Sequence, residues 1–320
     1  MKYIYLDWNV IQHMKHSIVQ DSINGIEFSR LVDNLSKKYQ FPFSEGHLRD
    51  IAISFKPENK AYIYEDLNYL NKISNGYALG TIGENETLTT TKSVNIYNFF
   101  NDLLNEQYEE LEFDIFSESD EGYLVNLNHV SDRDIFKTHL EKNNSILDQK
   151  VISSVLRNLW ANMDNPSVYK QFRENVSTIK SRFNSRDTIL ETESDYFKKI
   201  LPLLDFLCSN DPLSHQDNFE NVLLSFLSIN GRKLDERKIG QKIELAYMLL
   251  DFHPYFMEKV NRKNRPSNIG RDCKNLFFAS QAKYYVTEDK SSLRKADFVT
   301  KALTLKVKVT NMSDFLARFC

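Results

Sequence analysis

Cysteine is scarce: the 320 residues contain three, Cys208, Cys273 and Cys320, far apart in the chain. That excludes a disulfide framework or a zinc cluster and fits a reducing compartment. No run of about 18 apolar residues occurs, which excludes a helical membrane span. The N-terminus enters a strand directly, so the expected location is the cytoplasm, with no membrane partner. Glycine numbers only nine, and no Gly-rich phosphate loop is found. Internal repeats and low-complexity linkers are also missing. A dominant charge sign is lacking too: 41 Lys and Arg oppose 44 Asp and Glu, a net charge of −3. Nucleic-acid binding would therefore need a local patch or metal-bridged phosphates.

What the chain does contain is 41% hydrophobic and 27% charged residues, a globular balance. Short β-prone runs alternate with helical patterns only in the flanks, which gives an α/β fold class with a parallel sheet and flanking helices. The flanks, 1–58 plus 236–320, form one expected unit. Residues 59–235 form the other, a mostly helical insertion in which 77–83 and 88–91 suggest a β-hairpin. Apolar stripes mark helices at 8–20, 24–38, 151–160, 168–183, 187–208, 216–229 and 236–262.

Four acids stand at instructive places. Asp7 ends the run Lys2–Leu6, and Asp50 lies in the second turn of a helix that Ser44 caps. Asp272 opens a helix, and Asp289 follows the strand-like Tyr284–Thr287. In an open α/β sheet ligands bind at the carboxyl ends of the strands, and carboxylates gathered there suit a hard cation. The alternative is that Asp272 and Asp289 each cap a helix. Glu45 either supports the site or simply favours the helix dipole. His47 shares a helix face with Asp50 and is expected to position rather than ligate. Asn9 either holds a ligand or caps the first helix. Cys273 is expected to pack in the core, because no His–Asn partner accompanies it.

These blocks together (Asp7-x-Asn9, Ser44-x-x-His47-Leu48-x-Asp50-Ile51, Asp272, and Thr287-x-Asp289) resemble the PIN-like domain family, the metal-dependent nuclease fold of VapC-type toxins and many RNA-processing enzymes. The segment 306–316 is similar to the closing strand and helix of that fold. The resemblance covers about 1–58 and 236–320. It implies an endoribonuclease holding one or two Mg²⁺ or Mn²⁺ ions on Asp7, Asp50, Asp272 and Asp289, with Asn9 and Thr287 supporting. The second acid in the family is more often Glu, so Asp50 is a departure. The implied substrate is RNA, tRNA or mRNA, with DNA sharing the same chemistry. The biological setting the resemblance implies is a toxin or phage-defence role held in check by a protein partner; a non-catalytic PIN-like scaffold is the alternative.

Three charged groups remain. Arg262, Lys263, Arg265 and Arg271 precede Asp272, where they either bind substrate phosphate or stabilise a helix C-terminus. Eight acids between Glu106 and Glu121 form either a solvated segment or a docking surface for a partner. Lys170, Arg173 and Lys180 share a helix face, solvated or tracking RNA.

Overall fold

The structure, a computed structural model, describes residues 2–20, 23–83, 86–105, 122–124, 137–142, 144, 146–148, 162, 164–184, 195–228, 233–261 and 265–319. Its elements run β1 (Ile4–Leu6), α1 (Trp8–Gln20), α2 (Ile23–Leu35), β2 (Phe43–Ser44), α3 (Glu45–Ile53), α4 (Lys60–Ser74), β3 (Tyr77–Ile82), β4 (Thr87–Lys92), α5 (Ile96–Asn105), β5 (Gly122–Leu124) and α6 (Lys137–Lys142). They continue through β6 (Ile146–Asp148), α7 (Pro166–Asn184), α8 (Asp195–Cys208), α9 (Phe219–Ser228), α10 (Ile239–Asp251), α11 (Ser267–Ala279), β7 (Tyr284–Val286), α12 (Lys290–Ala302), β8 (Lys308–Thr310) and α13 (Met312–Phe319). The molecule is thus mixed α/β. No helix among the described residues is long and apolar enough to cross a membrane.

The centre is a parallel ladder in the order β1–β7–β8. On the free side of β1, Gln40 bridges Tyr3, and the Ile4 N–H donates to the Gln40 carbonyl at 2.9 Å. Pro42 has no N–H to offer, so this contact stays an isolated bridge, and β2 belongs to a second sheet. β2 then pairs parallel with β3, and β3 antiparallel with β4. The single parallel sheet expected from the flanks is therefore two: the parallel β1–β7–β8, and a separate β2–β3–β4 whose β3–β4 hairpin is antiparallel. Its turn uses Gly83 at φ +72°, a conformation glycine adopts without a Cβ clash. A further antiparallel pair joins β5 and β6.

Strand side chains alternate between two cores, as a sheet covered on both faces requires. Tyr3, Tyr5 and Tyr285 face one core, with Leu223, Tyr247, Leu276 and Phe298 from α9 to α12. Ile4, Leu6, Tyr284 and Val286 face the other, with Val10, Phe28, Leu48 and Phe315 from α1, α2, α3 and α13. Side chains from 59–235 enter both: Tyr169, Phe206 and Phe219 in the first, Ile63, Leu67 and Phe100 in the second.

Two helix boundaries differ from expectation. The helix expected over 236–262 stops at Asp251, because Pro254 disfavours helical dihedrals at His253. Lys259 and Arg265 therefore lie outside a helix C-terminus. α11 starts at Ser267, so Asp272 lies in its second turn and neither opens nor caps the helix. The helix expected at 151–160 and the acids at 106–121 lie outside the described residues.

Candidate functional site

Because β1 and β7 are parallel, their carboxyl ends share one edge, and each is followed at once by site residues. Asp7 follows β1, while Thr287 and Asp289 follow β7. Asp50 arrives on α3 and Asp272 on α11, two helices packed together. All four acids line one cleft of about 580 Å³. Trp8, Asn9, Gln12, His13 and His16, Ile53, Glu258, Asn268 and Arg271 complete its walls.

Asp7 is the anchor. Only 5% exposed, it accepts from the Trp8 N–H at 2.8 Å, Asn9 Nδ2 at 3.0 Å and Thr287 Oγ1 at 2.6 Å. Asn9 Oδ1 in turn accepts the Glu288 N–H at 3.1 Å, tying the β1 and β7 ends together. Asn9 and Thr287 thus orient the Asp7 carboxylate. Asp289 also caps α12, its Oδ1 accepting from the Ser291 and Ser292 N–H groups at 2.7 and 2.9 Å. Its capping and cleft-lining places coincide.

A second layer centres on Asn275, which is buried on α11. Its Nδ2 donates to Asp50 Oδ2 at 3.2 Å and toward Asp7 Oδ1 at 3.4 Å. Its Oδ1 accepts from the Tyr5 hydroxyl at 2.9 Å. Tyr5 meets Ser44 Oγ at 2.7 Å. The Ser44 N–H donates to His47 Nδ1 at 3.0 Å, and His47 Nε2 donates to the Leu6 carbonyl at 2.6 Å. Those partners fix the Nε2–H tautomer, and burial holds His47 neutral by pushing its pKa down to about 4. Ser44 and His47 therefore brace Tyr5 and β1 from behind.

Charge is concentrated here. Burial first, and then the Asp50 carboxylate, push Asp7 up to about 7. Burial and then Asp7, Glu258, Asp289 and Asp50 push half-buried Asp272 well above the ordinary carboxylate range. Burial raises Asp50 as well, opposed by Asn275 and Arg271. Such mutual repulsion is what a cation relieves, and an all-oxygen donor set suits Mg²⁺ or Mn²⁺. Among the described residues no three acids, histidines or cysteines are already drawn into a closed cage. The donor chemistry fits; the carboxylates would have to close around the ion.

The remaining expected residues sit elsewhere or act differently. Glu45 Oε1 accepts from Arg49 Nε and from Lys274 Nζ at 3.0 Å, so it fastens α3 to α11. Arg271 lines the cleft with its Nε 3.2 Å from Asp50 Oδ1. Arg265 pairs with Asp164 at 3.4 Å away from the cleft lining. Arg262 and Lys263 lie outside the described residues. Arg173 is no part of a surface track: it is buried, bonded to the Asp251 carboxylate and to the Glu258 carbonyl. Burial raises the Cys273 thiol well above its usual range, which suits packing and not attack.

Sequence reasoning missed Asn275, Glu258 and the wall of α1. Asn275 is one turn beyond Asp272, a spacing that puts both on one helix face. Trp8, Gln12 and His16 recur every four residues behind Asp7, the same kind of signal. Glu258 carries no local signal, since a loop and a buried partner, Lys295, place it. No family model matches the chain, and no curated protein or solved structure matches it either.

Proposed function

We propose that the protein is a metal-dependent endoribonuclease of PIN-like fold, hydrolysing phosphodiester bonds in tRNA or mRNA as a toxin or phage-defence effector. The observation that carries this reading is the convergence of Asp7, Asp50, Asp272 and Asp289, from four separated segments, on one cleft at the carboxyl end of a parallel ladder. These four would hold Mg²⁺ or Mn²⁺. The bound ion would stabilise negative charge on the phosphate and lower the pKa of a water. The chain's own residues do the rest. Asn9, Thr287 and Asn275 orient the Asp7 and Asp50 oxygens. Arg271 places a guanidinium where an approaching phosphate needs neutralising. Trp8, Gln12, His13 and His16 offer a polar, partly aromatic wall suited to bases.

The same chemistry cleaves DNA, and a regulatory protein docking on 59–235 belongs to the same proposal. One observation favours a non-catalytic scaffold instead: Asp50 is already neutralised by Arg271. Labelled tRNA, mRNA and single-stranded DNA, each incubated with and without Mn²⁺, separate these readings. The proposal expects Mn²⁺-dependent internal cuts in RNA. Cuts confined to DNA would reassign the substrate, and intact nucleic acid throughout would leave the scaffold.

A further inference from the structure

Asp50 has both oxygens engaged. Oδ2 accepts from Asn275 Nδ2 at 3.2 Å, and Oδ1 faces Arg271 Nε at 3.2 Å. The far end of the guanidinium is held by Asn268 Oδ1. Arg271 is the sole Lys or Arg among the described residues lining the cleft, where it meets five acids, Asp7, Asp50, Glu258, Asp272 and Asp289. Its side chain is 16% exposed and that of Asp50 18%, so water screens the pair only partly. A guanidinium in this position performs the electrostatic task of a bound cation, neutralising the carboxylate while leaving it unable to turn toward another ligand.

We infer that Arg271 is an internal counterion that a divalent cation must displace before Asp50 can serve as a ligand. This rests on the cation-dependent reading of the cleft proposed above. With Oδ2 engaged by Asn275, the oxygen Arg271 occupies is the one left for an ion, so the contact made in the free protein would subtract from the affinity for that ion. Asn275 does not compete, because it donates to the other oxygen and is anchored by Tyr5. Arg271 is accordingly a positioning residue with two stations, one on Asp50 and one in the open cleft, and the ion selects the second.

The test is Mn²⁺ binding to the full chain by titration calorimetry, with no nucleic acid present. Arg271→Gln should bind Mn²⁺ more tightly than wild type by at least about threefold, a modest value for an ion pair this shielded. Arg271→Lys keeps the charge and should stay near wild type. Asp50→Asn combined with Arg271→Gln should lose the gain. Equal or weaker affinity in Arg271→Gln would overturn the inference while leaving the cation site intact. If no variant and no wild type binds Mn²⁺, the cation reading itself falls, and this inference with it. Should Arg271→Gln fail to fold, wild type still decides the matter. With Mg²⁺ added, the Arg271 Nε–H resonance should shift and exchange faster with water on displacement, and an unmoved resonance at saturation would overturn the idea.

Discussion

Asp7→Asn isolates the electrostatic cost of the acidic cleft. Asp7 is lifted from the ordinary 3.8 to about 7, first by burial and then by Asp50. A group raised on folding contributes its stability below the unfolded pKa and loses it as pH climbs through the folded one. Between pH 4 and 7 the unfolded chain releases this proton first, and above pH 7 the folded state is penalised by roughly 4 kcal/mol. Asparagine removes that penalty. It also loses one acceptor oxygen among those serving Trp8, Asn9 and Thr287, which costs about 1–2 kcal/mol. In EDTA the variant should therefore be about 2–3 kcal/mol more stable than wild type at pH 8, and about 1–2 kcal/mol less stable at pH 4. Urea unfolding at both pH values, extrapolated to water, measures the difference. An Asp7→Asn protein no more stable than wild type at pH 8, or a difference that ignores pH, would refute the reasoning.

Other outcomes follow from the same contacts. Lys295 is fully buried, bonded to Asp251 at 2.9 Å and Glu258 at 2.6 Å, so Lys295→Met should lose about 3–5 kcal/mol in urea unfolding; a loss below about 1 kcal/mol would contradict a structural ion pair. A Cβ on Gly46 would come 2.2 Å from Asn275 Oδ1 and 3.1 Å from the Tyr5 hydroxyl. Gly46→Ala should thus push Asn275 off Asp50 and cut Mn²⁺-dependent cleavage by at least roughly tenfold, and full activity would remove Asn275 from the site. His47, depressed from 6.5 to about 4, contributes stability above pH 6.5 that is lost as pH falls through 4, about 3 kcal/mol in all. That loss opposes the Asp7 effect in wild type, so Asp7→Asn should display it as plain acid lability, and a variant indifferent to pH between 4 and 7 would count against it.

Much of the frame was legible because its signals are local. The compact apolar run at Tyr3–Leu6 marks a strand buried on both faces, the hairpin at 77–92 announces itself through its alternation and Gly83, and Asp289 caps α12 as its place predicts. Site residues adjoining those elements, Asp7, Asn9, Thr287 and Asp289, could be placed for the same reason. Long-range partners could not. Lys170 and Arg173 look like one solvated face until α10 supplies Asp251, which draws Arg173 inside. Glu258 owes its place to Lys295 on α12, and Arg271 meets Asp50 only because α3 packs on α11. Ion pairs of this kind leave no spacing rule in a single sequence. The early end of α10 did have a local cause, Pro254, outweighed by an apolar periodicity that runs on toward 262.

The central claim is that four carboxylates act as one cation-dependent cleavage site, and labelled RNA with Mn²⁺ tests it most directly when wild type is set beside Asp272→Asn. Wild type should cut the RNA internally, stop cutting in excess EDTA, and lose cutting in the variant, whose urea stability should match or exceed wild type because a repelled carboxylate is gone. Undiminished cleavage in EDTA, or full activity in a folded Asp272→Asn protein, would contradict it.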